Sequence, residues 1–130
     1  MPDANTPKKS IKSDEKHLKA WLTQKLRRLS YQWPARKQAI RNARVSRGKY
    51  ECAMCKEAGI EALYGPKQIV LDHIHPVIDP FDGWVDWNNY IERLFCDVDN
   101  WQVLCKDHHD MKTTLENEIR KDVKKDEKKS

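Results

Sequence analysis

The stretch Asn100-Trp101-Gln102-Val103-Leu104-Cys105-Lys106-Asp107-His108-His109-Asp110-Met111-Lys112-Thr113 carries two patterns in direct succession. Trp101 to Cys105 is a short apolar run of strand length, opened by Asn100. From about Asp107 the pattern turns helical, and His108, His109, Met111, Leu115 and Ile119 recur along one predicted helix. A cysteine closes the strand and a histidine stands three residues on, so a thiolate and an imidazole meet at a strand-to-helix junction. That pair has half of a tetrahedral zinc set.

The other half lies upstream. Cys52 and Cys55 have knuckle spacing, and with Cys105 and His108 they make a Cys3His set. His109 in place of His108 is also workable, because a spacing of three intervening residues still reaches the ion. Four buried or free residues without a metal are the plain alternative. Cys96 has no partner at knuckle spacing and reads as a free buried thiol.

The composition makes a staple necessary. With 130 residues, 35% of them charged, and a mean hydropathy of −0.92, the core must be small. Small cores generally need disulfides or a structural metal. The N-terminal MPDANTPKKS has no apolar stretch behind its charges, so it does not read as a signal peptide, and a cytoplasmic location is expected. There disulfides are disfavoured and metal binding by cysteine becomes the default. No apolar run reaches membrane-span length, so no membrane partner is expected.

Residues 1–12 read as a disordered arm. Residues 13–48 read as a basic helical extension, with Ser13 as a cap and Leu18, Trp21, Leu22 and Leu26 on one apolar face. A second helix is expected from Pro34 to about Ser46, with Ala35, Ala39, Ile40 and Ala43 inward and Gly48 ending it. From Lys25 to Lys49 the chain holds Lys25, Arg27, Arg28, Arg36, Lys37, Arg41, Arg44, Arg47 and Lys49, and no Asp or Glu. A solvated face usually mixes both signs; one sign alone points to a polyanion, as do the net charge of +5 and the pI near 9.0. Arg36, Arg41, Arg44 and Arg47 are the candidate DNA-backbone contacts. Trp21, Tyr31 and Trp33 can stack on bases, although core packing suits them better. Residues 121–130 read as a charged tail, frayed or disordered.

Between the half-sites, Ile69-Val70-Leu71 is an apolar strand running into Asp72-His73-Ile74-His75-Pro76. A loop of Asp, Pro and Gly follows, and Asp86 suits the cap of a helix through Trp87, Tyr90, Ile91 and Leu94. Asp72, His73, Asn100 and His109 are what hydrolysis of a phosphodiester needs: hard and nitrogen ligands for a divalent ion, and an imidazole that can act as a base near neutral pH.

The order Asp-His-Ile-His-Pro, then Asn-Trp-Gln-Val-Leu-Cys, then His-His-Asp-Met-Lys-Thr resembles the HNH endonuclease pattern DHIxP followed by N-x-Q-x-L-C-x-x-C-H-x-x-K-T. The likeness spans roughly Tyr50 to Leu115. The basic lead-in and the Trp84–Cys96 insert also resemble small HNH proteins of tailed bacteriophages. The resemblance implies an α+β, mostly helical fold: a ββα-metal (His-Me finger) core over residues 49–120, with structural zinc and the N-terminal extension. It implies His73 as general base, Asn100 holding the loop and orienting it, Asp72 and His109 on a catalytic Mg2+, Mn2+ or Ni2+, and Cys52, Cys55, Cys105 and His108 on zinc. The family usually has a fourth Cys at the position of His108. The implied activity is DNA phosphodiester hydrolysis leaving 5′-phosphate and 3′-hydroxyl, with DNA and phage terminase or packaging proteins as partners. A zinc-stabilised DNA-binding or packaging-accessory module is the alternative.

Each role has a plainer rival. Asp72 suits a turn cap, Asn100 a turn residue, and His109 a helix surface. His75 suits a phosphate contact, a tuner of His73, or a satisfied structural histidine. Lys112, one turn beyond His109, reaches phosphate or simply stays in solvent.

Overall fold

A computed structural model of the chain describes residues 15–129. The expected arm at residues 1–12 and the Ser13 cap lie outside them. The chain divides into two compact units, with the boundary between Tyr31 and Gln32.

In the first unit the described part is one helix, α1 (Glu15–Ser30), with Tyr31 after it. Glu15 in its first turn and Arg27 and Arg28 in its last complement the helix dipole. The sequence predicts Leu18 and Trp21 inward, but both are 55% exposed, and the Lys25 ammonium lies 5.5 Å from the centre of the Trp21 ring. That placement uses the indole face rather than burying it.

The second unit is α+β with two small sheets. Helix α2 (Pro34–Ala43) starts where the sequence predicts: Pro34 occupies its first turn and Trp33 before it is extended. It ends three residues early. Arg44–Ser46 is strand β1, which turns through Arg47 and Gly48 into β2 (Lys49–Glu51). Gly48 has φ of 70°, the left-handed conformation a tight hairpin needs, so it turns a strand rather than ending a helix. Val45, stiff at χ1, also favours the extended form. Arg44 and Arg47 therefore sit on a hairpin, not on a helical face.

Strand β2 pairs on its other side with β3 (Leu63–Tyr64), after helix α3 (Ala53–Glu57). This completes a three-stranded antiparallel sheet in a region that reads as loop. The second sheet is the antiparallel pair β4 (Ile69–His73) and β5 (Trp101–Cys105), in the register Ile69↔Cys105 through His73↔Trp101. Between them runs α4 (Trp87–Leu94), and Asp86 does cap it, accepting from the Asn89 amide at 2.7 Å. Helix α5 (Lys106–Lys129) follows β5 directly.

The core gathers around β5. Trp101, Val103, Leu104 and Cys105 are buried, and α2, α3 and α5 all pack on that strand. Coverage on both faces explains its continuous apolar run. Tyr90 and Leu94 are 1% and 2% exposed, and Trp84 packs against Tyr90 and Trp87. Trp33 packs edge-on against Phe95 at 5.5 Å and donates its indole N–H to the Cys96 carbonyl at 2.7 Å, so it serves the core.

The tail is the clearest departure. Residues expected to fray continue α5 through Lys129. Arg120 donates to the Ile78 carbonyl at 3.4 Å, anchoring the helix beyond the cysteine half-site. Among the described residues no helix is long and apolar enough to cross a membrane.

Candidate metal centre

Two groups of the predicted residues gather where α5 leaves the β4–β5 sheet. The first is the cysteine cluster. Cys52 caps α3, its sulfur accepting the Cys55 amide at 3.4 Å. That single turn places both sulfurs on one side of the chain. Cys105 ends β5, and His108 lies in the first turn of α5. The His108 Nδ1 atom stands 3.4 Å from each of the three sulfurs, Cys52, Cys55 and Cys105. The Cys55 and Cys105 sulfurs are 3.9 Å apart.

These separations can be tested against a zinc ion. With Zn–S near 2.3 Å and Zn–N near 2.0–2.1 Å, tetrahedral ligands lie about 3.6 Å apart for S and N and about 3.8 Å for two sulfurs. The cluster fits, and all four ligand atoms lie within 4.8 Å of one another. Three of the residues are buried. His108 is the imidazole of the cluster; His109 points elsewhere.

The thiols are tuned by their neighbours. Burial pushes Cys105 up, but bonds from the His108 amide, the Tyr64 hydroxyl and the other two cysteines outweigh it, and its pKa falls to about 7. For Cys55 the Tyr64 bond lowers the pKa, yet burial and bonds to Cys52 and Cys105 raise it further, and the net direction is up. Tyr64 lies 3.2 Å from the Cys55 sulfur and its own pKa is pushed up, first by that bond. Sequence reading misses Tyr64, because only the β2–β3 pairing brings it to the cluster.

The second group lies between α5 and β4. Asp72 and Gln102 are cross-strand partners, and Gln102 Nε2 donates to Asp72 Oδ2 at 3.0 Å. Asp72 Oδ1 faces His109 Nε2 at 3.9 Å. With ligands near 2.1 Å from one ion, that separation corresponds to an angle of about 136° at the ion, between the cis and trans angles of an octahedron. Lys112 is not solvated. Its ammonium lies 3.1 Å from Asp72 Oδ2, 3.0 Å from the His73 carbonyl and 2.6 Å from Glu116, and only 15% of the side chain is exposed. Nothing in the sequence singles out Glu116; one helical turn beyond Lys112, it completes an ion-pair chain.

His73 is next to Asp72 but on the opposite face of β4, as strand alternation requires. Its ring stacks on its cross-strand partner Trp101, with centres 4.0 Å apart, and its Nε2 lies 3.2 Å from the Leu94 carbonyl. A carbonyl oxygen can only accept, so this contact is a hydrogen bond when Nε2 carries the proton. Asn100 pins the chain just beyond: its Oδ1 accepts from the His75 amide at 3.0 Å, its Nδ2 donates to the His75 carbonyl at 3.4 Å, and its carbonyl accepts from the Ile74 amide at 2.8 Å. The His75 side chain is exposed. The Cys96 thiol lies 3.5 Å from Asn100 Nδ2, and burial raises its pKa.

Of the candidate DNA contacts, Arg41, Arg44 and Arg47 are exposed and Arg36 is half-buried. Arg44 also donates to the Ser46 carbonyl at 3.3 Å across its own hairpin. The chain matches no protein-family model, no curated protein and no solved structure.

Proposed function

We propose that this protein is a metal-dependent DNA endonuclease of the HNH kind, with Asp72 and His109 as ligands of a catalytic divalent ion and the Cys3His cluster as a zinc staple. The observation that carries this is the meeting of Asp72 and His109 at 3.9 Å, from the end of a strand and the first turn of a helix, with His73 following Asp72 in the strand. A divalent ion held there would supply positive charge to offset the negative charge developing on the phosphate and the leaving oxygen.

The chain's own groups divide the remaining work. His73 takes a proton from water as its oxygen bonds to phosphorus, and its ring is positioned by stacking on Trp101 and by the contact of Nε2 with the Leu94 carbonyl. The P–O3′ bond breaks, and the 3′-oxygen takes up a proton to leave 3′-hydroxyl and 5′-phosphate, the polarity implied by the HNH likeness. Asn100 fixes the backbone after His73, so the base does not drift. Arg41, Arg44 and Arg47 add exposed positive charge suited to duplex phosphates. The narrower likeness to phage HNH proteins extends the proposal to phage DNA processing or packaging in a bacterial cytoplasm, beside terminase.

One observation favours the rival reading of a zinc-stabilised binding module. The Lys112 ammonium already balances Asp72 at 3.1 Å, and a neutralised carboxylate has less need of a metal. Incubating supercoiled plasmid with the zinc-loaded protein and Mg2+, Mn2+, Ni2+ or no added ion separates the two. The nuclease reading expects ion-dependent nicking or linearisation that His73→Ala abolishes. DNA binding without cleavage under every ion would favour the module.

A further inference from the structure

We propose that Tyr64 is a positioning residue of the cysteine cluster: its hydroxyl donates to the Cys55 sulfur and secures zinc on the one thiolate that its own turn leaves without a donor. The inference rests on the reading of Cys52, Cys55, Cys105 and His108 as zinc ligands.

Cysteine ligands bind zinc as thiolates. Three thiolates against one Zn2+ leave net negative charge on the set. Cys52, Cys55 and Cys105 are 0%, 3% and 5% exposed, so water cannot spread that charge and protein donors must. The two half-sites supply donors in the same way. In each, the sulfur of the first residue accepts the amide of the residue three places on: Cys55 to Cys52 at 3.4 Å, and His108 to Cys105. The second residue of each turn gives its amide to that bond and receives none for its own side chain. For His108 this costs nothing, because a neutral imidazole brings no charge to the ion. For Cys55 it leaves a thiolate whose sulfur has no amide donor among the described residues.

Tyr64 fills that place. Its hydroxyl lies 3.2 Å from the Cys55 sulfur and also bonds to Cys105. It comes from outside the knuckle, on β3, where the β2–β3 register sets it opposite Tyr50. The side chain packs against the buried group of Cys52, Cys55, Leu104 and Cys105. While Cys55 is a thiol, either group can donate. Once it is a thiolate only the hydroxyl can, since a phenol keeps its proton well above neutral pH.

The test uses the full chain loaded with Zn2+ or Co2+. Tyr64→Phe removes the hydroxyl and keeps the ring. Tyr50→Phe removes a hydroxyl that makes no bond to the cluster and serves as the control. Zinc affinity is read by competition with a chromophoric chelator, and the sulfur-to-cobalt charge-transfer band by absorption. Tyr64→Phe should weaken zinc binding about tenfold, the lower end of what outer partners of a metal ligand contribute. It should also move the band to lower energy, because a thiolate that loses a donor gives up an electron more easily. Tyr50→Phe should do neither. A ring-fluorinated tyrosine at position 64 is a stronger donor and should move the band the other way; it carries the test if circular dichroism shows Tyr64→Phe unfolded. Wild type that binds neither ion overturns the zinc site and the role of Tyr64 together. Where wild type binds both, an unmoved band or an unchanged zinc affinity in folded Tyr64→Phe overturns Tyr64 alone. An equal effect of Tyr50→Phe, or an unmoved band with the fluorinated ring, does the same.

Discussion

His108 and His109 are adjacent on α5, yet their side chains belong to unlike surroundings. Successive residues on a helix diverge by about 100°, so neighbours in sequence face different walls. His108 points into a cluster of three buried sulfurs, each 3.4 Å from its Nδ1. His109, 31% exposed, faces a carboxylate held by lysine and glutamine. The first set is closed, with four donors and no position for a reactant. The second contributes two candidate ligands at an accessible edge. Closed sets suit structural zinc and open ones suit chemistry.

The strongest way to break this contrast is to exchange the fates of the two histidines. His108→Ala should lose zinc and most of the fold, because structural zinc in small domains supplies on the order of 10 kcal/mol of folding free energy. His109→Ala should keep zinc and helicity and lose cleavage. Metal analysis with circular dichroism decides it; zinc departing with His109 would undo the assignment of the two sites.

Within the open site, His73→Ala should leave zinc content and melting behaviour near wild type and slow plasmid cleavage by about two to four orders of magnitude. Undiminished rates in contaminant-free protein would remove His73 as the base and leave its stacking on Trp101 as its role.

Away from both sites, replacing Arg41 and Arg44 with Ala should weaken DNA binding across all sequences. The slope of log affinity against log salt should flatten by up to about two units, near 0.9 for each phosphate no longer neutralised. Binding is measured in EDTA, with exposure short enough to retain zinc. An unchanged slope and affinity would make these exposed arginines a solvated surface.

The smallest effect concerns the loop leading to α4. Asp79 is held below its ordinary value of 3.8, chiefly by the Asp82 amide and then the Phe81 amide donating to its carboxylate. A depressed folded pKa gives stability that is full above the ordinary value and disappears as pH falls through the folded one. The loop should therefore hold its protection from hydrogen exchange down to about pH 4 and lose it only in stronger acid, and Asp79→Ala should lack that acid step. An acid step persisting in the variant would assign it to another group.

The chain alone determines much of this. The spacing of Cys52, Cys55, Cys105 and His108, the two apolar strand runs and the cap at Asp86 are local signals, because a knuckle, a strand and a helix start each depend on residues a few places apart. The choice between His108 and His109 is not local: both spacings reach an ion, and the direction of α5 out of β5 decides it. Tyr64, Gln102 and Glu116 gain their parts only through strand pairing and one turn of helix on a particular face. Lys112 cannot be placed from sequence, since a lysine beside solvent and a lysine shared by Asp72 and Glu116 look alike until the strand and helix are packed together. The end of α2 and the persistence of α5 are likewise decided by partners distant in sequence or across a turn. Arg44–Ser46 becomes a strand because β2 lies beside it, and Arg120 ties α5 to the carbonyl of Ile78. Propensity is a weak prior, and packing against another segment overrides it.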